Sequence, residues 1–278
     1  MLASRPARGL NERDMLRPKL VRPRGILHLR ADDPIRGYAR YWPADDLSPF
    51  VEHLWTVEWD LAQPAVSEVL THPSVQLVVE RGASRVAGVF TRRFTRCLEG
   101  RGRVLGVKFL PGGFRPFWSA PVSGLADREL PLDEVFGPAA REVERRALAH
   151  AAHDEAFAPI QQLLRDRRPL ADPLAELVGR ITARAAADRD ILRVEQLARE
   201  FGLGVRKLQR LFDDYVGVSP KWVIQRYRLQ EAAERIARGE VADWASLALE
   251  LGYADQAHFI RDFRKLVGRS PGEYARGL

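Results

Sequence analysis

The stretch Gly252–Arg276, GYADQAHFIRDFRKLVGRSPGEYAR, completes a plan that the chain has already used once. Leu197-Ala198-Arg199-Glu200-Phe201-Gly202 aligns with Leu247-Ala248-Leu249-Glu250-Leu251-Gly252 at an offset of 50 residues. Beyond the turn the offset becomes 51, pairing Leu208-Gln209-Arg210-Leu211-Phe212 with Phe259-Ile260-Arg261-Asp262-Phe263, and Gly217-Val218-Ser219-Pro220 with Gly268-Arg269-Ser270-Pro271. One residue inserted in the turn accounts for the change. Self-similarity at a fixed period marks a duplicated supersecondary unit.

Each copy reads as a short helix, a glycine turn and a second, amphipathic helix. Val194, Leu197, Ala198 and Phe201 share one helical face, and Gly202 ends the helix where left-handed backbone costs least. Leu208, Leu211 and Phe212, spaced i, i+3 and i+4, give the next helix its buried stripe. That turns Arg206, Lys207, Gln209 and Arg210 outward with no acid among them until Asp213. In the second copy Phe259 and Phe263 are predicted to be buried, leaving Gln256, Ala257, His258, Ile260, Arg261, Arg264 and Lys265 on the exposed side. This is the spacing of a helix-turn-helix. Between the copies Ser219 as N-cap and Pro220 as first helical residue open a long helix to about Arg238, closed by Gly239. Twenty residues span about 30 Å, near the ~34 Å pitch of B-DNA, so one chain can set two helices into successive major-groove segments.

At these residues, roughly Asp190 to Arg276, the sequence resembles the AraC/XylS family of transcriptional regulators. Glycine turn, aromatic pair, Arg261 and Gly-x-Ser-Pro occur together at the spacing of that family's C-terminal signature. The resemblance implies base-reading side chains at Arg206, Gln209 and Arg210 in the first unit, and at Gln256, Ala257, His258, Ile260 and Arg261 in the second. Ile260 departs from a hydrogen-bonding residue, so its half reads a thymine methyl or serves mainly for positioning on the backbone. The chemistry agrees without the family: an arginine fork matches guanine O6/N7 and a glutamine amide matches adenine N6/N7, each pair giving ~1–3 kcal/mol of discrimination. Lys207, Lys221, Arg226, Arg228, Arg264, Lys265 and Arg269 are assigned to phosphates.

Charge is informative by placement rather than by sum. The 278 residues carry a formal +7, but residues 1–30 hold +6 of it, residues 31–173 hold −2 and residues 174–278 hold +3. The first 30 residues mix Arg, Pro and Gly without a period and read as a flexible basic tail, a non-essential extension before an arm on DNA; Met15 offers a second start. Only five of the 44 basic residues are lysine, which reflects coding bias before chemistry. At 46% hydrophobic and 29% charged the chain has a soluble composition, with no apolar run of the ~20 residues a membrane helix needs, and a cytoplasmic location is expected. A single cysteine, Cys97, excludes an internal disulfide and any multi-cysteine zinc site.

Residues 31–137 read as a β-rich sensing or dimerisation domain. Val51–Trp59, Val75–Glu80, Arg85–Thr91 and Val104–Leu110 are short, β-branched and aromatic, with Gly, Pro, Ser and Asp between them, which predicts a small barrel or sandwich. After Pro138 the period becomes helical, so residues 138–173 read as a helical connector whose Asp166–Pro173 segment (DRRPLADP) is the linker, and residues 174–278 as the all-α DNA-binding domain. Its units are placed at about 191–216 and 243–267, with the connecting helix at about 219–238. The whole is an α+β chain of two domains. Gly102–Gly137 is similar to the N-terminal domain of one uncharacterised subgroup of such regulators, a resemblance that names no ligand. Trp55, Trp59, Phe109, Phe114, Phe117 and Trp118 offer walls for an effector pocket, or the aromatic core of a β domain.

The resemblance implies double-stranded promoter DNA as partner, with a small-molecule effector, RNA polymerase and a second copy through the N-terminal domain alongside it. No cofactor is called for. His53 and His72 have no further ligand at metal spacing, and His150 and His153 read as surface residues of a helix. Two alternatives stand beside regulation. One is a constitutive architectural DNA binder. The other is an alkylation-repair methyltransferase using Cys97, whose flanks Arg96 and Leu98 lack the Pro-Cys motif of those enzymes; an enzyme is not expected.

Overall fold

The computed structural model describes residues 35–69, 71–167 and 169–277, so the basic tail lies outside the described residues. The N-terminal domain is built on eight strands: β1 (Ile35–Tyr41), β2 (Val51–Asp60), β3 (Ala65–Val69), β4 (Gln76–Val79), β5 (Arg85–Ala87), β6 (Phe94–Leu98), β7 (Arg101–Phe109) and β8 (Glu129–Pro131). Six form one antiparallel sheet in the order β1-β2-β7-β4-β5-β8, and β3 pairs with β6 as a separate ribbon. With β1 and β8 left as edges, the sheet is open rather than the barrel or sandwich expected. Helices cover one of its faces, so burial does not require the sheet to close on itself.

Those helices are α1 (Leu132–Phe136), α2 (Ala139–Ala149) and α3 (His153–Asp166). Ala147, Phe157, Ile160 and Leu164 are fully buried against Leu54, Leu77, Leu105, Val107 and Phe109 of the sheet in one core. The segment read as a connector is therefore part of the N-terminal domain, because α2 and α3 supply the apolar layer the sheet needs. His153, read as a surface residue, is held between the Tyr41 hydroxyl and Glu58. Burial pushes the Tyr41 phenol up to about 12.

The opposite face is finished by tryptophan on glycine. In the β2/β7 register Trp55 faces Gly106 and Trp59 faces Gly102, and a Cβ on either glycine would lie 2.0–2.1 Å from the indole. Only residues without a side chain admit rings this flat against the strand.

Seven described helices make the C-terminal domain: α4 (Pro173–Ala187), α5 (Val194–Glu200), α6 (Val205–Tyr215), α7 (Pro220–Ala237), α8 (Trp244–Glu250), α9 (Gln256–Val267) and α10 (Pro271–Arg276). Asp172 caps α4, accepting from the backbone N–H groups of Leu174 and Ala175, with Pro173 in the first turn. Helices α5/α6 and α8/α9 are the two repeated units, turned at Gly202 (φ +62°) and Gly252 (φ +79°). Ser219 Oγ accepts from Trp222 N to start α7. The two units have separate cores. Val223 and Ile224, early in α7, pack with Leu197, Leu208 and Phe212, whereas Leu229, Ala232 and Ile236, late in α7, pack with Leu247, Phe259 and Phe263. No described helix is long and apolar enough to cross a membrane.

Candidate nucleic-acid interface

Helix α6 presents a cationic face because its apolar stripe leaves no choice. Leu208, Leu211, Phe212 and Tyr215 are buried, which turns Arg206, Lys207, Gln209 and Arg210 to solvent. None of these four has an acidic partner among the described residues. Gly204 begins the helix without a side-chain cap, so the amide groups of its first turn are also open.

Helix α9 carries the equivalent face with more internal ties. Asp255 caps it, its Oδ1 accepting from His258 N at 2.7 Å. The His258 ring packs edge-on to Tyr253 at 5.1 Å and approaches Asp262 at 3.4 Å. Lys265 lies 3.7 Å from the same carboxylate. Gln256, Ala257, Arg261 and Arg264 are exposed, while Ile260 is half-buried against the second core, as Val241 and Trp244 are. A half-buried isoleucine suits contact with a thymine methyl better than a long reach into the groove.

Two assigned phosphate contacts are corrected. Arg226 and Arg228, on α7, are only 3% and 2% exposed. Arg228 donates to the carbonyls of Ala185 and Asp188 and pairs with Glu231, locking α7 to the end of α4. Arg226 crosses into the N-terminal domain, where Nη2 donates to Thr71 Oγ1 at 2.7 Å and to the Phe90 carbonyl at 3.0 Å. Its guanidinium stacks 4.5 Å over Trp222, its Nε finds no acceptor among the described residues, and burial pulls its pKa down to about 10. A helical spacing cannot say which face of a connecting helix another domain will cover. Lys221 is exposed, and Arg269 is half-buried near the end of α10, within 3.0 Å of where a Gly277 side chain would start.

The six aromatic residues assigned to one effector pocket do not form one. Phe109, Phe114 and Phe117 belong to the helix-side core, which Trp118 borders, while Trp55 and Trp59 lie on the opposite face of the sheet. A cavity of about 340 Å³ does open at the seam between the domains, lined by Arg115, Pro116, Phe117, Trp118, Ser119, Arg167 and Asp172. From its wall Arg115 Nε reaches Asp214 of α6 at 2.9 Å, and Asp172 accepts from the Tyr215 hydroxyl at 2.9 Å. Of the six aromatic residues, Phe117 and Trp118 line this cavity; sequence reasoning missed Arg115, Arg167 and Asp172 because they come from segments that carry no shared periodicity. Cys97 is exposed on β6.

Comparisons with known proteins match the two parts of the chain separately. Residues 197–277 match the model of a helix-turn-helix domain family, and residues 39–131 match a domain of unknown function, DUF6597. An uncharacterized HTH-type transcriptional regulator of Haemophilus influenzae is 32% identical over 85 residues, 31% of this chain and 28% of that protein. The virulence regulon transcriptional activator VirF of Yersinia enterocolitica is 28% identical over 81 residues, 29% of this chain and 30% of VirF. The matched region thus spans under a third of the length of these relatives. Among solved structures, ToxT of Vibrio cholerae aligns with 78% of this chain and 98% of its own at 12% identity and a TM-score of 0.38. The relatives carry the names of regulators, not of enzymes. With its duplicated unit and connecting helix, the C-terminal part of the chain carries an AraC-type helix-turn-helix domain, joined to a DUF6597 domain.

Proposed function

We propose that the chain is a sequence-specific DNA-binding transcriptional regulator whose two units read successive major-groove segments. The observation that carries this reading is the face of α6, where Arg206, Lys207, Gln209 and Arg210 stand exposed without an acidic partner among the described residues. Arg206 and Arg210 supply forks for guanine, Gln209 an amide for adenine and Lys207 a phosphate contact, with Gln256, Ala257, His258, Ile260 and Arg261 as the second reading surface. Lys221, Arg264, Lys265 and Arg269 position the protein on the backbone.

In the same proposal a small-molecule effector acts from the N-terminal domain on promoter occupancy or on contact with RNA polymerase. The seam cavity supports this position, since Arg115 joins its wall to α6 through Asp214. Arg115 and Arg167 beside Phe117 and Trp118, with Asp172 on the same wall, suit a polar group on an apolar body.

Selection of genomic fragments by the full chain, with and without metabolite extract, tests both halves. The regulator reading expects one enriched motif with two half-elements and affinity that falls steeply as salt rises. Binding without sequence enrichment would favour the architectural alternative. An enriched motif indifferent to every extract would remove the effector and leave the regulator.

A further inference from the structure

Two units joined by one helix, with separate cores, have no apolar layer in common to fix their relative placement. Within the C-terminal domain Leu192 does lie against Gly252. Besides Arg115–Asp214 and the packing of Val89, the N-terminal domain adds contacts at three points, and two of them are equivalent positions of the repeat. Gly217 (φ +90°) ends α6, and a Cβ there would lie 2.9 Å from the Val122 carbonyl. Gly268 (φ +80°), its counterpart at the end of α9, has the Arg93 guanidinium where a Cβ would be 2.8 Å away. A cation at a helix C-terminus also suits the carbonyls exposed there. The third point is the middle of α7, where Arg226 donates to Thr71 and to the Phe90 carbonyl, and Gln230 Nε2 donates to the Thr71 carbonyl at 3.3 Å.

The loops that make these contacts are themselves tied. Asp127 accepts from Thr91 N at 2.8 Å and from Thr91 Oγ1 at 2.6 Å, and its own N–H donates to the Val89 carbonyl at 3.0 Å. Loop 88–94 and loop 121–128 therefore move as one piece. Arg226 gives that piece a single seat. A buried guanidinium with two neutral acceptors contributes little net stability, but a slip of an ångström would leave its charge unpaired, so it selects one docked geometry over its neighbours.

We propose that loops 88–94 and 121–128, seated on Arg226, brace the two helix-turn-helix units, so that the chain reads the spacing between its half-elements as well as their bases. Arg226, Arg93 and Asp127 are positioning residues for DNA recognition and touch no base. The proposal rests on the DNA-binding reading for its consequence, and on the three contacts for the brace itself.

The experiment has a DNA-free arm and a DNA arm. In a Cys97→Ser background, spin labels at Asp213→Cys on α6 and Ala257→Cys on α9 report the distance between the recognition helices in the full chain. The brace gives one narrow distribution, which Arg226→Met and, separately, Arg93→Ala broaden. Arg226→Met keeps an apolar stem beside Trp222 and Arg93 is exposed, and a melting temperature within a few degrees of the parent in each variant separates loss of the brace from a folding failure. On the selected site, adding or removing one base pair between half-elements should weaken the parent chain about tenfold, comparable to a mismatched base pair, and weaken Arg226→Met about twofold or less. Distances as narrow in both variants as in the parent overturn the brace, whatever the DNA result. A distribution that broadens in a chain that selects no DNA site leaves the brace standing and removes the DNA-binding reading instead.

Discussion

The two helix-turn-helix units share a plan and differ in how their recognition helices are held. At equivalent positions α6 has Gly204 and Leu211 where α9 has Asp255 and Asp262. In α6 the first turn is uncapped and the cations carry no acidic partner among the described residues, whereas in α9 one acid caps the helix and the other draws in His258 and Lys265. The surroundings differ in the same direction. Val89 of the N-terminal domain lies in the first unit's core and Arg115 pairs with Asp214 of α6, while the second core is built within the C-terminal domain alone. The first unit is thus free toward solvent and joined to the N-terminal domain through its core, whereas the second is tied within its own unit and meets that domain at its edge, where Arg93 lies against Gly268. A duplicated sequence can divide its labour, one copy for reading and for control, the other for anchorage.

The largest test of that contrast is a cavity in each core. Phe212 and Phe263 are both fully buried, and replacing either with Ala should cost about 3–5 kcal/mol. Hydrogen exchange separates the two outcomes. Phe263→Ala should release protection in α8–α10 and spare the sheet, whereas Phe212→Ala should also loosen the Val89 segment; loss of sheet protection in Phe263→Ala would break the contrast.

Next in size is the reading surface. Arg210→Ala should cost about 1–3 kcal/mol on the selected site and less on random DNA, and Arg261→Ala should cost no more than Arg210→Ala. Equal losses on both DNAs, measured by fluorescence anisotropy, would turn these arginines into phosphate contacts.

The smallest effect probes the ties on α9. Asp262→Asn removes a surface acid worth under about 1 kcal/mol in stability, and frees Lys265 and His258. The slope of log affinity against log salt should steepen by about one, which is one more phosphate neutralised. An unchanged slope would mean that Lys265 is committed elsewhere in the complex.

How much of this was legible in the residues follows from the range of each interaction. The N-cap at Ser219, the glycine turns and the stripe Leu208-Leu211-Phe212 are set by neighbours within four positions, so spacing reveals them. The strands around Val51 and Val104 were visible for the same reason, as alternation along a single segment. The open edges of the sheet were not, because strand order depends on which distant segments pair. Nor was the role of α2 and α3, whose apolar faces look alike whether they cover a sheet or link two domains.

Sequence alone determined that this chain carries two copies of a helix-turn-helix unit on one connecting helix, since helical periodicity and capping are local properties of the backbone. Tertiary structure decided which arginines remain available. Arg226 and Arg228 have the same composition and spacing as surface cations, yet one is buried beneath Thr71 and Phe90 and the other against the end of α4. The physical reason is that a helix defines its faces by its own period, while what covers a face is fixed by residues 40 to 155 positions away, brought there only when helices and domains pack.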